Sequence, residues 1–172
     1  MPRETVDYVG YFTAPVNKER SEGQSDRQRA YLYALESLPQ VEVVLGYFRW
    51  VHHKGTAHED RSGPYTKFWH WEEKGSDVNL AMAMVRDACL KRFDKMVLIS
   101  NDSDLAGPVG MVVNDFDIPV FQVSPAITTN KAFIGVATHC MILQTKRLSS
   151  CLLPRIVALP DGGQVTCPSQ WI

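Results

Sequence analysis

The sequence predicts an α/β protein, a three-layer α/β/α sandwich around a mostly parallel sheet. Three observations predict it. Short apolar runs at 41–48, Met96–Ile99 and 118–123 alternate with stretches of helical period. The run Met96-Val-Leu-Ile99 has no polar break, as suits a strand buried on both faces of a parallel sheet. It then runs at once into Asn101-Asp102-Ser103-Asp104, and in open α/β sheets ligand sites form just past the carboxyl ends of the strands. With 172 residues, of which 45% are hydrophobic and 22% charged, the chain can bury a core of its own. We assign residues 1–152 to one domain and 153–172 to an irregular tail marked by Pro154, Pro160, Gly162, Gly163 and Pro168.

The first strand is expected at 7–13, short, aromatic and β-branched. A polar loop follows, and Ser25-Asp26 is placed to cap a helix to about Leu38, with Ala30, Tyr31, Ala34, Leu35 and Leu38 on one face. Pro39 ends it. The run 41–48 is the next strand. Residues 49–71 hold His52, His53, His58 and His70 with Trp69 and Trp71. They read as an irregular insert or a hairpin, with the two tryptophans packed on the core. No paired Cys/His pattern of the structural-zinc type occurs there. Gly75-Ser76 opens a helix, with Ser76 as its N-cap and Val78, Ala81, Met82, Val85 and Cys89 as one apolar stripe. After the 96–99 strand, residues 105–114 are helical by period, with Pro108 tolerated in the first turn. A strand at 118–123, a loop, a helix at 131–139, a short strand at 140–143 and a helix at 145–151 complete the alternation.

The chemistry resides in the acids. Asp102 and Asp104, one residue apart at a strand end, cannot both stay charged cheaply without a cation or a proton between them. Asp77 falls in the first turn of the helix that leads into the same strand, where the helix dipole favours a carboxylate. A helix preceding a parallel strand begins at the edge where the strands end, so Asp77 and Asp102 are expected at one rim. Each also has a plainer role to play, Asp102 and Ser103 as cap residues and Asp77 as a first-turn acid.

Glu-Glu-Lys-Gly-Ser-Asp77-Val-Asn-Leu-Ala, followed by Val-Leu-Ile-Ser-Asn-Asp102-Ser-Asp104-Leu, resembles the NYN domain family, a branch of the PIN-like nucleases. The usual pattern there is Lys-Gly-x-Asp-x-x-Leu-Ala, then a hydrophobic strand ending Ser-x-Asp-Ser-Asp. Tyr11-Phe-Thr-Ala14 resembles the end of that family's second strand, and 118–123 the strand after its acidic turn. The tail, with Leu153-Pro154 and Cys167-Pro-Ser-Gln-Trp171, resembles a bacterial subgroup. Family members open with a central strand reading roughly hydrophobic-Asp-x-x-Asn, which supplies the first metal-site Asp. Here Val6-Asp7-Tyr8-Val9 leads straight into Tyr11-Phe-Thr, and Asp7 is not followed by the expected Asn. The resemblance therefore implies a Mg2+ or Mn2+ site with Asp77, Asp102 and Asp104 as catalytic and metal-holding acids and no first acid. If the central strand is absent, its neighbours carry unpaired backbone groups. A homodimer or a partner chain then supplies a strand, residues 6–12 are recruited differently, or the sequence is a shortened form.

The resemblance implies a metal-dependent endoribonuclease acting on RNA, expected single-stranded, with Lys74, Asn101 and Ser103 placed for phosphate. The alternatives are an inactive RNA- or protein-binding relative of the same fold, and a small-molecule phosphatase of HAD-like type. Net charge of −1 excludes a general polyanion-binding surface. Local basic groups must then serve RNA: Lys18, Arg20, Arg27 and Arg29 near the first helix, or Arg49, His52, His53, Lys54, Arg61 and Lys67, whose aromatic neighbours could stack bases. Asp87 and Asp115 read as surface acids. No run approaches the ~18 apolar residues of a membrane span. No signal peptide is evident, and Cys89, Cys140, Cys151 and Cys167 form no C-x-x-C pair, so we expect a cytoplasmic protein with reduced thiols.

Overall fold

A computed structural model of the chain describes residues 4–18, 21–55, 63–64 and 66–171, without the side chains of Glu22 and Arg147. Arg20, His58 and Arg61 of the sequence analysis lie outside the described residues. The fold is α/β, with parallel pairing in two of its strand groups and antiparallel pairing in the other two. The strands hydrogen-bond in four separate groups, and the chain divides into two compact units, residues 1–76 with 154–172, and residues 77–153.

In the first unit, β1 (Val9–Thr13) and β2 (Val41–Leu45) pair in parallel, with Val9 opposite Val41 and Thr13 opposite Leu45. The crossover between them is α1 (Glu22–Glu36). Its cap is Ser21, whose hydroxyl accepts from the Gln24 N–H, so the helix starts a turn before the Ser25-Asp26 that the sequence suggested. The expected strand at 41–48 breaks at Gly46. A Cβ there would lie 2.5 Å from the Lys74 carbonyl oxygen and 3.0 Å from the Ser76 nitrogen, so only glycine lets the two backbones approach.

Beyond Gly46, β3 (Tyr47–Gly55) and β4 (Thr66–Lys74) form a regular antiparallel hairpin in which Tyr47 faces Lys74 and Gly55 faces Thr66. Trp69 is 56% exposed rather than packed on a core. The tail is also more regular than expected. Strands β8 (Ile156–Ala158) and β9 (Gln164–Thr166) pair antiparallel around a turn that Gly162 makes at φ +85°.

In the second unit, α2 (Ser76–Cys89) leads through a short turn to β5 (Met96–Ile99), the middle strand β6 (Val120–Ser124) and β7 (His139–Ile142), all parallel in the order β5-β6-β7. The link from β5 to β6 is α3 (Ala106–Asp115), entered through a 3-10 turn at Ser103–Leu105. Pro108 sits at its third position, where no intrahelical N–H is lost. Gly75, at φ +91°, makes the turn before α2, and Ser76 is the helix's first residue, its hydroxyl donating back to Glu73.

The core joins Ala88 of α2, Leu98 of β5, Leu105, Val109 and Val112 of the α3 segment, and Val120 and Phe133. Leu80, Ala81, Met84 and Val85 pack against it. The apolar stripe of α2 is thus rotated from the predicted one, and Val78 and Met82 are 65% and 64% exposed. The strand β5 is not buried on both faces: Leu98 is buried, while Val97 and Ile99 are 60% and 63% exposed. It is an edge strand, with β6 on one side and no described strand on the other. The predicted helix at 131–139 is only a 3-10 turn, Lys131–Phe133, and helix 145–151 shrinks to α4 (Thr145–Leu148). Asp87 is no surface acid. It is buried and paired to Arg86 Nε at 2.9 Å and Arg92 Nη1 at 3.1 Å, whereas Asp115 is exposed. Among the described residues no helix is long and apolar enough to cross a membrane.

Candidate functional site

Where β5 ends, the chain turns through Ser100 and Asn101 into the acidic pair. Asp102 and Asp104 are both exposed. Asp102 caps the 3-10 turn, its Oδ1 accepting the Asp104 N–H at 3.0 Å, while its own N–H donates to Ser100 Oγ at 3.2 Å. The cap role leaves Asp102 accessible: one carboxylate oxygen is fixed by backbone and the group still faces solvent. Asp77 is exposed in the first turn of α2, in the same compact unit. Asp77 opens α2, and Ala88 near the end of that helix shares one core with Leu98 of β5. The carboxylates of Asp77, Asp102 and Asp104 do not close to a trio within 4.8 Å of one another.

The turn is held from the next loop. Asn101 Nδ2 donates to the Thr128 carbonyl at 3.2 Å, Asn101 Oδ1 accepts the Asn130 N–H at 2.7 Å, and Asn130 Nδ2 donates to the Asn101 carbonyl at 3.3 Å. Both ends of the Asn101 carboxamide are therefore engaged. The buried Ser124 hydroxyl donates to the Thr128 carbonyl at 2.8 Å and accepts the Ala126 N–H, which shapes that loop. From below, fully buried Gln122 donates Nε2 to the Ser100 carbonyl at 2.6 Å. Its Oε1 has no hydrogen-bond partner, a defect of about 1–3 kcal/mol. Sequence reasoning missed Gln122, Ser124 and Asn130. The one signal was a polar residue inside the apolar run 118–123, and Gln122 is that residue.

The hairpin in the other unit presents two different faces, since directly opposed residues of an antiparallel pair share a face. One face is an aromatic ladder. Trp50 meets Trp71 at 4.9 Å and stacks on Trp69 at 6.1 Å with planes 6° apart, and His52 meets Trp69 at 5.0 Å. Trp50 is 47% exposed. Lys54 and Lys67, both exposed, are directly opposite each other at the end of this ladder.

The other face carries His53, His70 and Glu72, all half-buried, with one ligand atom from each within 4.8 Å of the others. This is the one such group of three or more His, Cys, Asp or Glu side chains among the described residues. Lys74 Nζ pairs with Glu72 Oε1 at 2.9 Å. That hydrogen-bonded ammonium, aided by the two nearby imidazoles, holds the Glu72 carboxyl below its ordinary range. Elsewhere in this unit, burial pushes the Tyr11 phenol above its ordinary 10.0, with Tyr31 and Glu73 adding to the rise.

Comparison with known proteins gives three likenesses. Residues 9–144 match the model of the NYN domain family. The chain is 26% identical over 183 aligned positions to the 6-hydroxy-3-succinoylpyridine 3-monooxygenase HspA of Pseudomonas putida, across 95% of this chain. It spans 57% of that relative's length. A crystal structure of a Vibrio parahaemolyticus protein of unknown function is similar at TM-score 0.49 and 17% identity, over 80% of this chain and 69% of that one.

Proposed function

Because the chain belongs to the NYN domain family, we propose that it is a divalent-metal-dependent nuclease that cleaves single-stranded RNA internally. The observation that supports this most is the acidic turn, with Asp102 and Asp104 exposed at the end of β5 and Asp77 opening the helix that feeds that strand. An all-carboxylate donor set suits a hard cation, Mg2+ or Mn2+, which Asp77, Asp102 and Asp104 would hold partly through waters. Such a cation supplies, when bound, the positive charge that polarises a phosphate and lowers the pKa of a water.

The protein's own groups do the rest. The Asp104 N–H fixes one oxygen of Asp102 and leaves the other toward solvent. Ser103 serves as a phosphate contact, whereas Lys74, expected to share that role, is paired with Glu72 at 2.9 Å. Asn101 acts by position, since its carboxamide is spent on Thr128 and Asn130 and keeps the turn in register. The hairpin ladder of Trp50, Trp69, Trp71 and His52 offers surfaces on which bases stack. The facing Lys54 and Lys67 support the same reading, because like charges directly opposed are unfavourable until an anion lies between them. The open edge of β5 supports an added strand, lent by a second copy or by a partner chain.

The test is RNA cleavage with Mn2+, comparing the wild type with Asp102→Asn, in which the amide oxygen still caps the 3-10 turn. We expect wild-type cleavage and its loss in the variant. Cleavage that survives the change places the chemistry elsewhere. Binding without cleavage in the wild type makes the protein an inactive RNA-binding relative, and turnover of small phosphate esters alone makes it a phosphatase. A second reading, oxygen-dependent hydroxylation of an aromatic ring, is favoured by the likeness to the Pseudomonas monooxygenase along 95% of this chain. Oxygen uptake on adding a hydroxypyridine acid together with a two-electron donor such as a reduced nicotinamide, with no effect on RNA, would favour it.

A further inference from the structure

We propose that His53, His70 and Glu72 form a binding site for a first-row transition-metal dication, with Zn2+ as its reference ligand, on the face of the β3–β4 hairpin opposite the aromatic ladder. The proposal stands independently of the nuclease reading, whose acids lie in the other compact unit.

The hairpin register builds the cluster. Each residue pairs with one across the ladder: His53 faces Phe68, Val51 faces His70 and Arg49 faces Glu72. His53 and His70 are therefore diagonal neighbours on one face, and Glu72 follows two residues after His70 on that face. Their imidazole centroids are 4.4 Å apart, closer than either ring is to Phe68. One ligand atom of each of the three side chains lies within 4.8 Å of the other two. Nine-residue strands on both sides fix these positions with a regular ladder rather than with a loop.

An independent observation points to a ligand. His53 Nε2 and His70 Nδ1 are shielded from solvent and have no hydrogen-bond partner. A buried polar atom left unpaired costs about 1–3 kcal/mol, and two of them side by side are unusual unless something accepts their lone pairs. No hydrogen bond joins these two nitrogens, whereas a dication accepts one lone pair from each. Glu72 supplies the anionic member. Lys74 Nζ holds its Oε1 and leaves Oε2 for coordination.

The donor set selects the cation class. Two imidazoles and one carboxylate suit Zn2+ and its first-row neighbours, while Mg2+ and Ca2+ prefer oxygen alone. Ligand atoms about 2.0–2.1 Å from a tetrahedral ion stand roughly 3.3 Å apart. The observed spread of up to 4.8 Å thus closes by a small rotation of the side chains on a fixed backbone. Three protein ligands leave at least one coordination position open for water or an anionic group.

The experiment uses the full chain, purified with chelator and titrated with Co2+ and then Zn2+. Visible absorption reports Co2+ coordination and calorimetry reports Zn2+. We expect one Zn2+ per chain at this site and displacement of Co2+ by Zn2+. His70→Gln and Glu72→Gln should each weaken binding by on the order of 10–100-fold or more. His139→Ala, which removes an imidazole from the other compact unit, should leave it unchanged. Absence of Zn2+ binding at micromolar concentration overturns the proposal, as does binding that neither His70→Gln nor Glu72→Gln weakens. Should these variants misfold, the histidine ring NMR signals of the wild type decide. Zn2+ must shift those of His53 and His70, and shifts confined to His52 or His139 overturn the site.

Discussion

Replacing Asn101 with alanine tests how the acidic turn is held. The side chain makes two hydrogen bonds, to the Thr128 carbonyl at 3.2 Å and from the Asn130 N–H at 2.7 Å. It is half-buried, so each bond is worth about 1 kcal/mol, and Asn101→Ala should cost about 2 kcal/mol. For a chain of this length a loss of that size lowers the melting temperature by roughly 4–8 °C. Asn101→Asp keeps the acceptor for the Asn130 N–H but sets an oxygen against the Thr128 carbonyl. It should lose about 1 kcal/mol of bonding plus the repulsion between the two oxygens. Asn114→Ala, at an exposed position on α3, is the control and should melt with the wild type. The assay is thermal unfolding followed by circular dichroism, with RNA cleavage measured on the same samples. If Asn101→Ala melts with the Asn114 control, the loop clamp does not hold the turn and the reasoning fails.

Four further perturbations have definite expected outcomes. Asp87→Ala removes a buried carboxylate from two half-exposed arginines and should destabilise by about 2–3 kcal/mol in urea denaturation; a cost below that of Arg92→Ala would contradict the burial. Tyr11 has a raised phenol pKa, so above pH 10 the unfolded chain sheds this proton before the folded one and stability falls with rising pH. Tyr11→Phe should flatten that alkaline slope, read by melting between pH 9 and 11, and an unchanged slope would assign it to other groups. Trp50→Ala and Trp69→Ala should each weaken single-stranded RNA binding by on the order of tenfold, as expected from about 1–3 kcal/mol per stacked base; unchanged affinity would remove the stacking surface. Gly46→Ala forces a Cβ to within 2.5 Å of the Lys74 carbonyl and should cost about 1–3 kcal/mol by melting, so wild-type stability there would show that the two backbones can part.

Much of the architecture is legible in the sequence because it depends on local chemistry. Met96–Ile99 is a strand, Asp77 does open a helix, and Asp102 does cap the turn after that strand. These follow from an unbroken apolar run, a glycine able to adopt φ +91°, and side chains short enough to bond the nearby backbone. Two departures on α2 have one origin. Helical period offers a stripe of Val78, Ala81, Met82, Val85 and Cys89 on α2, yet the buried side runs through Ala81, Met84, Val85 and Ala88. Helical period shows that a face exists, but the partner chooses among overlapping apolar faces. Asp87 looked like a surface acid because its partner Arg92 lies beyond the helix end, where only the fold returns it.

The sequence by itself determined the class of the fold, the family, the acidic turn and the placing of Asp77 at a helix start, all properties of residues close together along the chain. Tertiary structure decided the rest. It aligned His53 with His70 and Glu72, and Trp50 with Trp69, across a connection whose length leaves the register open. It also brought Gln122, Ser124 and Asn130 around Asn101 from more than twenty residues away. Such meetings depend on which backbone groups pair across the sheet, and a shift of one residue turns every side chain of a strand to its opposite face.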